Sequence, residues 1–576
     1  MHRSPAVELS HETQPASTLR ATAETFLIFL VFFVQGASAA PDVNEPHYLS
    51  KARHYWDPAW CAGDFFCNTA DAHQVFYWTF GWTTRWLSFG AAAWCGRLIT
   101  WWLLAWAWRR LSWSVLPRPY YAVLAAALLV LSISRAHMAG EWLIGGVEAK
   151  GFAYVFVLLG LERLVRGRWG PSILLLGAAS ALHVVVGGWS VVCAGVVWLA
   201  SADRPPIGRL VLPLVGGLLL ALPGLVPALA LGAGADAQTV VEANRLYVYE
   251  RLYHHLLPQR FGTWFVLDGY AVSIVARHML LIGLLVCLVR IDESADAGVR
   301  RLRAFVAGSI GIAAAGMCIA LVAPWAPDFA AGLLRFYWFR MSDVLVPVGV
   351  ALVGCRILGR WEMTRPSWHV AGLSVCVLIV AAHVAGLIWT RRQDPRPPAD
   401  RQIANLAAWR ETCAWIADHT PHDAVFLTPR LAQTFRWYAS RAEVVSRKDI
   451  PQDAAGIVAW WQRNLDLYRD DAVRAPDANA EAGTTERQET SHSGQARWRR
   501  SLAELGSRRL ADLGRTYGAD YVVTTVDPPL ALRRIGPSNA SFAIYVLNED
   551  AAPGQSPLGR SANERGPVTE PPTRGP

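Results

Sequence analysis

Apolar runs centred on residues 25–40, 90–108, 120–134, 151–164, 173–186, 189–200, 210–231, 279–289, 305–322, 341–358 and 368–389 alternate with short polar connections. Several fall short of the ~20 residues a straight membrane span needs, so flanking residues must extend them or the helices must tilt little. The pattern predicts about eleven transmembrane helices between residues 25 and 390, after an N-terminal cytoplasmic tail over residues 1–24. The pair around His183-Val-Val-Val-Gly-Gly-Trp189 is the weakest, because its two short halves also suit a re-entrant hairpin. The first run has a rival reading too: it closes on Ala37-Ser38-Ala39, like a signal peptide with a small-residue cleavage site.

From Arg396 the pattern changes. An amphipathic stretch over 403–417 leads to strand-like 424–428 and 443–445, a helix over 454–468, another over 502–517, and strand-like 521–525 and 542–547. This alternation predicts a small, mainly parallel sheet within a soluble α/β domain spanning 397–548. Residues 470–495 are polar without apolar periodicity and 549–576 are rich in Pro and Gly, so both read as disordered. The predicted fold class is an all-α polytopic membrane bundle with a C-terminal soluble α/β domain.

Composition agrees with this mixture, at 53% hydrophobic and 17% charged. Lys and Arg (54) exceed Asp and Glu (45), but as short clusters between apolar runs rather than one stripe, which argues against nucleic acid. Arg109, Arg110 and Arg118; Arg163, Arg166 and Arg168; Arg204 and Arg209; Arg290, Arg300, Arg301 and Arg303; and Arg356, Arg360 and Arg365 occupy alternate loops. The positive-inside rule makes these cytoplasmic and puts the loop 41–89 and everything beyond Thr390 outside. Arg391, Arg392 and Arg396 run against the rule, but five consistent loops outweigh them. Six of nine cysteines lie in apolar runs, and no zinc spacing appears. Cys61 and Cys67 share an outer loop, where a disulfide and two free thiols are both open readings.

Candidate chemistry gathers in the outer loops. The first reads Asn44-Glu45-Pro46-His47-Tyr48 and continues through Gly63-Asp64-Phe65-Phe66 to Asp71-Ala72-His73. A carboxylate a few residues past a span is placed to act as a base, because partial desolvation raises its proton affinity. The alternative is an interfacial loop with solvated charges and aromatic anchors. The second loop holds Glu141, Glu148 and Lys150, in which mutual neutralisation competes with function. The third holds Arg251 and His254-His255, a weak metal signal because adjacent side chains do not share a helix face. The fourth holds Arg335-Phe336-Tyr337-Trp338-Phe339-Arg340. Guanidinium groups beside aromatics suit a phosphate carried on a long apolar chain, although contact with anionic headgroups would also place them there. His183 reads as a hydrogen-bonded core histidine. Arg97 either faces the bundle interior or marks a later start of its span.

This layout, an acidic residue just past the first span, a long Tyr- and Trp-bearing first outer loop, a second acidic outer loop and a terminal soluble domain, resembles the GT-C superfamily of membrane glycosyltransferases. That superfamily includes the protein O-mannosyltransferases and aminoarabinose transferases. The chain is also similar to an uncharacterised bacterial integral-membrane family with runs like Asn44-Glu-Pro-His-Tyr48, Gly63-Asp-Phe-Phe66 and Trp437-Tyr438. The resemblance implies a multi-pass protein of the bacterial inner membrane that moves a sugar from a polyprenyl phosphate or diphosphate to an extracytoplasmic acceptor, with inversion. It implies Glu45 as the base, with Glu141 and Glu148 assisting by holding the acceptor, and Asp64, Glu141 and Glu148 as the other candidate catalytic carboxylates. Lys150, Arg251, His254, His255, Arg335 and Arg340 would hold the donor phosphate. An Asp-Glu pair is frequent in the mannosyltransferase-like branches where Asn44-Glu45 stands here. No Asp-x-Asp motif occurs in either acidic loop, so no cofactor is expected, although an oligosaccharyltransferase-like variant would hold a divalent cation there. The competing classes are a transporter or lipid flippase, and an envelope-assembly protein with a degenerate core.

Overall fold

A computed structural model describes residues 18–258, 269–292, 294, 296–470, 498–537 and 539–548. The tail up to residue 17, residues 471–495 of the polar insertion and the segment 549–576 lie outside the described residues. Eleven long helices match the eleven apolar runs: α1 (Thr18–Gly36), α2 (Phe89–Val115), α3 (Tyr121–Ala136), α4 (Ala149–Val165), α5 (Trp169–Leu182), α6 (Val184–Ala200), α7 (Val211–Ala230), α8 (Gly269–Ile291), α9 (Ala297–Val322), α10 (Arg340–Thr364) and α11 (Pro366–Gln393). Six are long and apolar enough to cross a membrane unaided. The doubtful pair resolves into α5 and α6. The chain is extended at His183, whose Nδ1 lies 3.4 Å from the Val186 nitrogen where the second helix starts.

Buried apolar side chains of α2, α3, α4, α9 and α10 form one core, with α10 buried along most of its length. The outer helices instead expose Leu212, Val215 and Leu219 of α7 and Val370, Val375 and Leu378 of α11, apolar surface of the kind that lipid covers. Small residues let α5 and α7 approach closely. A Cβ on Gly177 would lie 2.2 Å from the Gly217 carbonyl oxygen, and one on Gly224 2.3 Å from that of Ala181.

The arginine-bearing loops converge on one end of the bundle. Buried Asp292 pairs with Arg303 (2.7 Å), Arg360 (3.1 Å) and Arg356 (3.2 Å), and Glu24 pairs with Arg109 (2.9 Å). Arg301 donates to the Val165 carbonyl at 2.9 Å and also meets Asp203. Two of the loops at the other end bond the α/β domain: Ala399 N–H donates to Pro41, Phe65 N–H to Glu443 and Ala454 N–H to Leu231. The positive-inside rule therefore yields an expected outcome. A reporter active only outside the cytoplasm should work after Thr390 and fail near Arg300, and the opposite pattern would invert the proposed topology.

The capping domain is a five-stranded sheet in the order β2-β1-β3-β5-β4, with β1 Val425–Leu427, β2 Ala442–Glu443, β3 Tyr521–Thr525, β4 Arg534–Ile535 and β5 Phe542–Val546. β1 is parallel to β2 and β3, but β5 is antiparallel to β3 and β4, so the sheet is mixed rather than mainly parallel. The reason is the connection from β3 to β5, which contains β4 and no crossover helix among the described residues, and so returns the chain antiparallel. Alternation along β3 explains the layering. Tyr521 and Val523 pack on Trp409 of α12 (Leu406–His419) and Phe435 of α13 (Phe435–Ala439). Val522 faces Trp460 of α14 (Ala454–Tyr468) and Leu510 of α15 (Gly506–Tyr517).

One buried arginine joins cap and bundle. Arg436 of α13 lies 3.1 Å from Asp64 and 3.1 Å from Glu443, and also pairs with Asp449. Asp64 in turn accepts the Cys67 N–H (2.8 Å) and the Glu443 N–H (3.0 Å). Cys61 and Cys67 beside it are buried free thiols.

Candidate functional site

The segment 137–148 is folded around a carboxylate from another helix. Asp343, in the first turn of α10, accepts the N–H groups of Met138 (2.7 Å), Ala139 (2.8 Å) and Glu141 (3.3 Å). The His255 ring bonds the Ala139 carbonyl at 2.6 Å. Gly140 makes the turn at φ +71°, where a Cβ would be strained and would meet the His255 ring at 3.1 Å. Glu141 is thereby fixed. Glu148 follows in extended backbone as the residue before α4, and Lys150 falls in that helix's first turn.

These residues open on a cavity of about 290 Å³ between the bundle and the cap. Glu141, Glu148, Lys150, Arg251, His255, Arg335 and Arg340 all line it, together with an apolar wall of Val184 and Val185 from α6 and Ala228 and Leu231 at the end of α7. Arg340 Nε sits 3.0 Å from Glu141 Oε2, its Nη1 donates to His183 Nε2 at 3.1 Å, and its guanidinium lies 4.0 Å from the Tyr337 ring centre. Lys150 Nζ is 3.5 Å from Glu141 and 3.4 Å from Glu148, and lies 3.8 Å from the Trp142 ring centre. Glu148 also accepts from Asn44 Nδ2 at 3.1 Å. Glu141 Oε1 has no hydrogen-bond partner among the described residues. Arg335 donates to Asn244 Oδ1 at 2.6 Å, and Arg251 to the carbonyls of Arg447 (3.2 Å) and Lys448 (3.0 Å).

Burial sets the proton affinities. It raises the Glu148 carboxyl above the usual range, with Lys150 offsetting only part of the effect. Burial, reinforced by Arg251, pushes the Lys448 ammonium down to about 8. Burial and then the neighbouring Arg447 bring Arg251 to about 10. Burial and then His254 hold His255 well below the ordinary histidine value, so its ring is neutral at pH 7. A second cavity, of about 390 Å³, lies beyond the segment Gly140–Trp142, which borders both spaces.

Three expected site residues lie elsewhere. Glu45 is fully buried and accepts Arg97 Nε and Nη2, both at 2.6 Å, as well as the N–H groups of Asp42 (2.7 Å) and Val147 (3.0 Å). A carboxylate with every lone-pair direction committed and no edge on the cavity does not fit the base role expected of it. Arg97 accordingly faces the bundle interior from within α2. Asp64 is the joint of bundle and cap already described. The His254 ring lies tilted against that of His255, ring centres 4.1 Å apart, outside the cavity wall. Among the described residues no group of three or more His, Cys, Asp or Glu is placed to hold a metal ion.

The cavity also contains residues to which the sequence reading gave no site role. His47, Tyr48 and His73, quoted above without a role, reach it from the first loop, and His183, read as a core histidine, from the α5–α6 break; Lys448, Ile450 and Gln452 of the cap were not singled out. The signal for the cap residues was their place just after β2, since loops at the carboxyl ends of parallel strands commonly form ligand sites.

Fold and site together define a polytopic membrane protein whose soluble cap closes a cation-rich cavity at one end of its helical bundle. A family model described as "Domain of unknown function (DUF6798)" matches residues 407–467, within the cap. No curated protein matches the chain. The chain is similar to the crystal structure of ArnT from Cupriavidus metallidurans bound to undecaprenyl phosphate, with 12% sequence identity over 94% of this chain and 100% of that one. The TM-score is 0.34, and a likeness this distant decides nothing about chemistry.

Proposed function

We propose that this chain is a glycosyltransferase of the cytoplasmic membrane that moves a sugar from a polyprenyl-phosphate-type carrier to an acceptor hydroxyl outside the cytoplasm. One observation carries the reading: five cations (Lys150, Arg251, Arg335, Arg340 and Lys448) and two carboxylates (Glu141 and Glu148) converge on one cavity with an apolar wall. Cations at the end of a bundle suit an anionic headgroup on a lipid tail, and a carboxylate with raised proton affinity suits a general base. Glu148 accepts the proton of the acceptor hydroxyl as that oxygen bonds to the anomeric carbon. The bond from this carbon to the carrier phosphate breaks, and its electron pair leaves on the phosphate oxygen, which Arg340 and Lys150 stabilise. A single displacement inverts the anomeric centre. Glu141, held by Arg340 and Lys150, lines the cavity where a sugar or acceptor hydroxyl would bond to it.

The test is the lipid that purifies with the protein. Mass spectrometry should find a sugar-bearing polyprenyl phosphate or diphosphate with the wild type. The amount should fall by about ten- to a hundredfold in Arg340→Lys, because lysine cannot present the parallel donors of a guanidinium and a charge-assisted bond contributes about 1.5–3 kcal/mol. A wild type that never retains such a lipid would sink the reading. Undiminished retention by the variant would remove Arg340 from the phosphate site.

A further inference from the structure

Four of the five cations of the cavity fall into two pairs, while the fifth, Arg335, donates to Asn244 Oδ1. Lys150 and Arg340 stand against Glu141 and Glu148 and are matched by them in number. Arg251 and Lys448 are not matched. The guanidinium of Arg251 is held only by the carbonyls of Arg447 and Lys448, and no carboxylate lies within ion-pair distance of the Lys448 ammonium among the described residues. The nearest acid in sequence, Asp449, is already committed to Arg436 and His47. Both groups have lost solvation, and burial lowers the proton affinity of each, with Arg447 adding to the effect at Arg251 and Arg251 adding to it at Lys448. Backbone carbonyls that fix a guanidinium against a lysine without neutralising either group leave a site lacking an anion.

We infer that Arg251 and Lys448 form a second phosphate subsite, so that the carrier is a diphosphate whose two phosphates are held by separate pairs of cations. This rests on the transferase reading and sharpens its substrate class. The phosphate bonded to the sugar lies at Arg340 and Lys150, beside the two carboxylates. The phosphate bonded to the lipid lies at Arg251 and Lys448, against the cap. A diphosphate-linked donor carries one negative charge more than a monophosphate-linked one, and the diphosphate leaving group gains a further charge when the glycosidic bond breaks. The unmatched pair answers both. Because Lys448 comes from the cap, the soluble domain takes part in choosing the carrier.

The experiment compares a polyprenyl monophosphate with a polyprenyl diphosphate of equal chain length, titrated onto full-length protein in detergent and read by native mass spectrometry. The wild type should bind the diphosphate about tenfold or more tightly than the monophosphate. Lys448→Ala and Arg251→Gln should each weaken diphosphate binding by about ten- to a hundredfold and monophosphate binding by less than about threefold, while Lys448→Arg retains most of the preference. Equal wild-type affinity for the two lipids, or equal losses for both in the variants, would overturn the second subsite and leave the transferase reading standing. If neither lipid binds the wild type, the transferase reading fails and the subsite falls with it.

Discussion

Glu148→Gln is expected to lower sugar transfer by about a hundred- to ten-thousandfold, the usual contribution of a general base, with carrier binding preserved. Glutamine keeps the shape of the side chain and its contact with Asn44, and removing a negative charge from beside Lys150 leaves that cation freer to hold phosphate. The separation of effects is the diagnostic part. Turnover measured at saturating donor should collapse, while retention of the lipid should match or exceed that of the wild type. Near-normal turnover would exclude Glu148 and move the base to Glu141, the other carboxylate on the cavity.

Arg436→Met should loosen the cap from the bundle. Removing one partner of a buried ion pair costs about 3–5 kcal/mol, because the other charge stays buried without compensation. Here Asp64, Glu443 and Asp449 would all face one another. Burial already lifts the Glu443 carboxyl to about 7 with the arginine in place. Without Arg436 the folded-state carboxyls would sit above their unfolded values, so the folded state would bind more protons and regain stability as pH falls. The variant should therefore unfold at a markedly lower temperature than the wild type at pH 8, with a smaller gap at pH 5.5, and its cap should be cut faster by protease at the higher pH. An unchanged melting temperature at both values would mean that the joint is held by other contacts.

The bundle was legible because a run of apolar residues and the helix it forms are one local fact, and even the break at His183 fell where two short runs met. Local reasoning failed wherever a partner was remote. Glu45 looked like a base because it follows a span, yet its role is set by Arg97, fifty-two residues on. Asp64 is explained by Arg436, 372 residues away. Arg251, Arg335 and Arg340 could be singled out in the sequence because a cation against the topological rule needs a reason even when that reason is out of sight, and the fold places all three on the cavity. Lys448 carried no such mark: a lysine in a soluble domain is unremarkable until the fold lays it over the mouth of a membrane cavity. The sheet was misjudged because alternation of helix and strand cannot show that the last connection lacks a helix.

The guanidinium of Arg251 is anchored on carbonyls that a ribosome reaches nearly two hundred residues later. By then the last of the eleven long helices has been made, and only about a third of the cap has been synthesised. During that interval the lysine at 448 does not exist and the arginine has no acceptor to orient it. On the proposed function, an inserted but unfinished chain would be a bundle with an incomplete headgroup site, and its grip on the carrier would mature only as the final domain folds back onto the membrane.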